Sequence, residues 1–225
     1  MGLKESGLRG SLRNVSVGID AIPDNDIYLQ DDWGDNKLQD RDGSGTTTFN
    51  GVEGVYRPEY IIDAGSPEAQ NEQLQLVDGE RIKTEINLNF DEPITWEINS
   101  VDVSDSGTDG ADSASFVLFS ETDNVAADGR GFERSYCVYI RKANDWQLVE
   151  IDEDGNQNFL ISENDFSEVH DITVTRESDG TWEFFVDGDS QGSVTDTSHT
   201  DDEHYAIAGR QNADVNISVD EYKVS

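Results

Sequence analysis

Residues 172–188, ITVTRESDGTWEFFVDG, decide the fold class of this chain. Ile172 and Val174 alternate with Thr173 and Thr175, Asp179-Gly180 supplies a reversal, and Trp182, Phe184 and Val186 resume the alternation before Asp187-Gly188 ends the run. Two segments of period two around a short Asp-Gly turn predict a β-hairpin with one apolar, partly aromatic face. A face of that kind must be covered, so a second sheet is expected against it.

The same pattern continues on both sides. Strands are predicted at 46–49, 60–62, 73–77, 81–90, 94–103, 114–120, 134–142, 146–152, 156–162 and 192–195, with Gly, Asp, Asn and Pro between most of them. Pro67 to Glu72 is predicted as a helical turn. In the last strand Val215, Ile217 and Val219 share a face while Tyr222 and Val224 fall out of phase, which predicts a bulge near Asp220-Glu221. Many short strands with regular turns and little helix indicate an all-β, two-sheet antiparallel sandwich.

The wording of the 172–188 hairpin resembles the late hairpin of concanavalin A-like and laminin G-like jelly-roll domains. The resemblance lies in a strand ending in Arg176, then Asp179-Gly180, then Trp182, an aromatic residue and Val186-Asp187-Gly188. It implies a jelly-roll sandwich over residues 25–225. Such domains mostly bind glycans or protein surfaces, and only some are glycanases.

The chain has 225 residues, with 49 acidic and 15 basic side chains and a formal net charge of −34. Four Trp, seven Tyr and nine Phe argue against disorder. The reading is halophilic: at about 1 M salt the Debye length falls to roughly 3 Å, so surface carboxylates cease to repel one another. Nucleic acid is excluded as a partner, because phosphate binding needs clustered Lys and Arg. No stretch approaches the roughly 20 apolar residues of a membrane helix, and no membrane partner is expected. Cys137 is the only cysteine, so no internal disulfide forms.

Residues 1–24 differ in kind. Lys4, Arg9 and Arg13 face Glu5 alone up to Ile19, and Leu3, Leu8, Leu12, Val15 and Val17 are interrupted by four glycines. Two readings stand: an extended attachment arm, with Leu8, Arg9, Leu12 and Arg13 as its contacts, or a first strand and loop of the same domain. Residues 7–23, GLRGSLRNVSVGIDAIP, resemble the N-terminal segment of structural proteins of haloarchaeal tailed viruses and their proviruses. The resemblance implies a tail fibre, capsid turret or spike component in an extracellular virion at high salt. Its partners would be other virion proteins through the arm and host-surface glycans or glycoproteins through the sandwich. Virion appendages repeat around symmetry axes, so a homo-oligomer is expected.

Candidate chemistry is sparse. Glu150, Asp152 and Asp154 alternate, as the acids of laminarinase-type glycanases do, but an Asp stands where the acid/base Glu belongs. Residues 153–156 also read as a hairpin tip, which would put a catalytic pair out in solvent. No catalytic residue is assigned, and the chain is expected not to be an enzyme. Asp105, Asp109 and Asp112 form the best local candidate for Ca²⁺, which takes six to eight oxygen ligands; a solvated acidic loop is the competing reading. Sugars need an exposed aromatic face beside polar groups, which points to Trp33, Tyr56 and Trp146. Trp96 and Trp182 read as core. The functional expectation is lectin-like adhesion on a virion, with a cellular or secreted glycan-binding module as one alternative and a laminarinase-like glycanase as another.

Overall fold

A computed structural model describes residues 29–31, 33, 47–49, 52–55, 60–77, 79–86, 88–105, 113–122, 124, 132–141, 145–164, 169–200, 205–206, 209–211 and 215–225. These residues form strands and turns only. In chain order the strands are β1 (Leu29–Asp31), β2 (Thr47–Phe49), β3 (Val52–Val55), β4 (Ile61–Ala64), β5 (Glu68–Gln70), β6 (Gln73–Leu76), β7 (Arg81–Glu85), β8 (Ile94–Asp105), β9 (Ser113–Ser120) and β10 (Ser135–Arg141). They continue as β11 (Asp145–Ile151), β12 (Gln157–Asn164), β13 (His170–Arg176), β14 (Thr181–Val186), β15 (Asp189–Thr195), β16 (Tyr205–Ala206), β17 (Gly209–Gln211), β18 (Val215–Val219) and β19 (Glu221–Val224).

Two antiparallel sheets make the sandwich. One has nine strands in the order β15-β14-β13-β8-β18-β6-β5, with β19 pairing both β8 and β1. The other has eight strands in the order β12-β11-β10-β9-β16-β7-β4, with β17 also on β9. β2 and β3 pair only with each other.

The 172–188 hairpin forms as its sequence predicts. Ile172 lies opposite Val186 and Arg176 opposite Trp182. Asp179 accepts the Thr181 N–H at 2.9 Å, and Gly180 turns the chain at φ +84°. Asp187 and Gly188 both have positive φ, 52° and 82°, and link β14 to β15 in a tight two-residue turn. The 67–72 segment departs from expectation. Instead of a helical turn it holds β5 and a hairpin to β6, because Asn71 and Glu72 both adopt positive φ (55° and 62°) and bring Gln70 opposite Gln73. The strand expected over 81–90 stops at Glu85, and in place of the bulge expected near Asp220-Glu221 the strand is divided at Asp220 into β18 and β19. There β8 changes partner: Asp102 to Asp105 pair β18, whereas Trp96 to Asn99 pair β19.

The core is aromatic where the sheets face each other. Trp96, Phe119, Tyr136 and Trp182 are buried, and Trp182 stacks on Tyr136 with centroids 4.4 Å apart. Such side chains each bury about 150–250 Å² and dominate a core of this size. A smaller cluster of Val117, Phe132, Cys137, Tyr139, Val149 and Ile151 is also buried, built from the alternate positions of β9, β10 and β11. The Cys137 thiol lies inside it, as a buried strand residue. At the edge where the two sheets meet, Gly192 of β15 leaves room for Ile161 of β12, whose Cγ2 lies 3.6 Å from where a Cβ would stand.

Candidate functional site

Two of the aromatic residues singled out for sugar binding, Trp33 and Trp146, are placed in the core. Trp33 is fully buried, its ring 5.3 Å from that of Tyr60. The flanking aspartates suggested exposure, but Asp31 is itself buried and accepts the Trp33 N–H at 2.9 Å, a local turn that aims the indole inward. Trp146 is buried as well, on the face of β11 that carries Leu148, with its ring edge-on to His170 at 5.5 Å. Neither ring is presented to a sugar. Tyr56, Asp109, Asp112 and the arm residues Leu8, Arg9, Leu12 and Arg13 lie outside the described residues, and Asp105 is described only as the last backbone position of β8. Among the described residues no group of three or more His, Cys, Asp or Glu side chains is placed to hold a metal ion.

Polar chemistry gathers instead at one end of the sandwich. Asp152 begins the turn from β11 to β12, accepting N–H groups from Asp154 (2.9 Å) and Asn156 (2.8 Å) and the Asn156 amide on its other oxygen (2.9 Å). The bonds from Asn156 hold its carboxyl below the usual aspartate range. Gly155, at φ +79°, completes the reversal, so residues 152–156 do form the hairpin tip read from the sequence. Glu150 does not lie out in solvent. It is 6% exposed, and its Oε1 is 2.7 Å from His199 Nε2.

His199 belongs to a segment that follows β15 and crosses from one sheet to the other. Asp196 stays tied to the nine-stranded sheet, with its N–H donating to Gly180 O at 2.9 Å and its carbonyl accepting Trp182 Nε1–H at 3.0 Å. Its carboxylate takes the Tyr136 hydroxyl of β10, and the Ser198 N–H donates to the Asp196 carboxylate at 3.0 Å and to the Tyr136 oxygen at 3.2 Å. Burial works against the Asp196 charge, but the bonds from Tyr136 and Ser198 outweigh it and its pKa falls. Burial and the same aspartate push the Tyr136 hydroxyl up, so the proton stays on the phenol. Burial raises the Glu150 carboxyl despite the opposing bond to His199. Glu121 completes the group, 2.5 Å from Arg134 and 4.0 Å from His199 Nδ1.

Around this buried cluster the described surface is polar: Asn156, Thr197 and Ser198 are exposed and the Arg134 side chain is 40% exposed. Three residues along β12 from Asn156, Phe159 is 46% exposed and is the one exposed aromatic ring among the described residues. The sequence pointed away from it, because Phe159 sits in a strand whose pattern reads as ordinary core alternation. Glu150 is held by His199 rather than standing free.

No protein-family model and no curated protein matches the sequence. Solved structures do share its shape. The chain is similar to the carbohydrate recognition domain of Emp47p, with a TM-score of 0.56 at 11% identity over 73% of this chain and 87% of that one. It is similar to the metal-free form of the Emp46p carbohydrate recognition domain, with a TM-score of 0.58 at 9% identity and the same coverage. The fold is a two-sheet antiparallel jelly-roll sandwich. The binding domain of botulinum neurotoxin DC, solved in complex with SialylT, matches 88% of this chain with a TM-score of 0.56 at 10% identity. This chain spans 47% of that toxin domain.

Proposed function

We propose that the protein is a glycan-binding module without turnover. The observation that carries this reading is the jelly-roll sandwich it shares with carbohydrate recognition domains over 73% of its length. The buried Glu150–His199 pair supports it by withdrawing the most tempting acid from hydrolysis. The surface proposed to hold sugar is the 152–156 tip with the adjacent face of β12. There Asn156 supplies an amide in a fixed turn, and Phe159 offers a ring for the C–H face of a pyranose.

Binding to a panel of immobilised glycans, measured with the full chain in concentrated salt, tests this directly. Phe159→Ala is expected to weaken binding about fivefold to tenfold, as the loss of one stacking partner would. A panel with no binder, or reducing sugar released from one, would overturn the reading.

The finer proposal places the module on the virion of a halophilic archaeal virus, as a tail fibre, turret or spike component and a homo-oligomer. Support comes from the resemblance of residues 7–23 and from the acidic composition. Deleting residues 1–24 is expected to abolish incorporation into particles and spare glycan binding; retained incorporation overturns the role of the arm. A cation at Asp105, Asp109 and Asp112 belongs to the same proposal. The Emp46p domain has a potassium-bound form, and binding that survives a chelator and exchange of the salt cation would remove the ion from the reading.

A further inference from the structure

The crossing from β15 to the eight-stranded sheet ends on His199, and the surroundings of that ring are unusual. Its Nε2 lies 2.7 Å from Glu150 Oε1, whereas its Nδ1 has no hydrogen-bond partner and lies 4.0 Å from Glu121 Oε2. The side chains of His199, Glu121 and Glu150 are all less than one tenth exposed. The charged and titratable groups facing the ring come from each packed element: Glu121 and Arg134 flank the β9–β10 connection, Tyr136 lies on β10, Glu150 and Asp152 on and after β11, and Asp196 on the crossing itself. Among these described groups four are carboxylates, and Arg134 is a cation paired with Glu121.

A neutral imidazole can satisfy only one side of this arrangement. With its proton on Nε2 it donates to Glu150, but the Nδ1 lone pair then faces a carboxylate oxygen. A ring carrying both protons donates to Glu150 and turns its Nδ1–H and positive charge toward Glu121, 4.0 Å away. We propose that His199, held between Glu150 and Glu121, is a proton-dependent latch that fastens the 196–200 crossing to the eight-stranded sheet in mildly acidic conditions and loosens it as pH rises. The latch does not depend on what the module binds. It sits beside the polar tip at 152–156, so its state alters the shape of that end.

The Ser198 N–H reports the latch, because it donates to Asp196 of the crossing and to Tyr136 of β10. Hydrogen exchange of the full chain in concentrated salt, corrected for intrinsic rates, is expected to show Ser198 protection falling about tenfold or more between roughly pH 5.5 and pH 8.5. His199→Gln, which keeps one amide donor and cannot titrate, should abolish that dependence. His170→Gln and His204→Gln should leave it intact. If His199→Gln does not fold, ring ¹⁵N shifts of the unmodified chain, assigned through the other two variants, must titrate in step with Ser198 protection. Protection that is flat over this range, that keeps its pH dependence in His199→Gln, or that tracks His170 or His204 would overturn the latch.

Discussion

Trp96 and Trp182 stack with their centroids 5.6 Å apart and 18° between their planes, although β13 separates their strands. Each also anchors the main chain: Trp96 Nε1–H donates to Leu118 O of the opposite sheet at 3.1 Å, and Trp182 Nε1–H to Asp196 O at 3.0 Å. The two rings therefore join both sheets and the crossing in one unit.

Trp182→Ala should then be among the costliest changes in the chain. It removes a buried ring in contact with Trp96, Phe119 and Tyr136, and a loss of about 3–5 kcal/mol is expected from denaturant unfolding in high salt. Trp182→Phe keeps most of the packing but orphans the Asp196 carbonyl, at a cost of about 1–2 kcal/mol.

Glu80 clips the passage between the sheets. Its two oxygens accept the N–H of Ser66 (3.0 Å) and of Val77 (2.8 Å), while Gly65 at φ +75° leaves space for its side chain. Glu80→Ala should cost about 1–3 kcal/mol by thermal or denaturant melting, and Gly65→Ala should destabilise through both its backbone conformation and contact with Glu80.

The N–H of Asp171 holds the Asp187 carboxyl below the usual aspartate range, against a smaller effect of burial, with further help from His170 at 2.6 Å. A lowered native pKa means stability that is complete above the unfolded value and is lost as pH falls through the native one. Acid titration of stability should therefore show a component, lost as pH falls below the usual aspartate range, that vanishes in Asp187→Asn. The carboxylate is half exposed, so salt should shrink this component.

A net charge of −34 on 225 residues predicts a strong dependence on salt. The melting temperature is expected to climb from dilute buffer to about 1 M KCl and flatten once the Debye length reaches roughly 3 Å. A melting temperature that falls over the same range would contradict the halophilic reading.

Sheet structure was legible because period two is a local property: Ile172, Val174, Trp182, Phe184 and Val186 needed only each other to show a buried face. Positive-φ turns were legible where Asp-Gly spelled them, at 179–180 and 187–188, and illegible at Asn71-Glu72, where neighbouring strands impose the turn on ordinary residues. Exposure was misjudged for Trp33 because an aspartate can turn its carboxylate to the backbone and bury its neighbour.

By itself the sequence determined a β-rich, strongly acidic chain, the 172–188 hairpin and the tip at 152–156, since alternation, charge and Asp-Gly turns act over a few residues. Tertiary structure alone decided that Glu150 meets His199, 49 positions away, and that Phe159 rather than Trp33 or Trp146 faces outward. Which side chains share an end of a sandwich depends on strand order and crossing, and these are settled by how two sheets bury their apolar faces together.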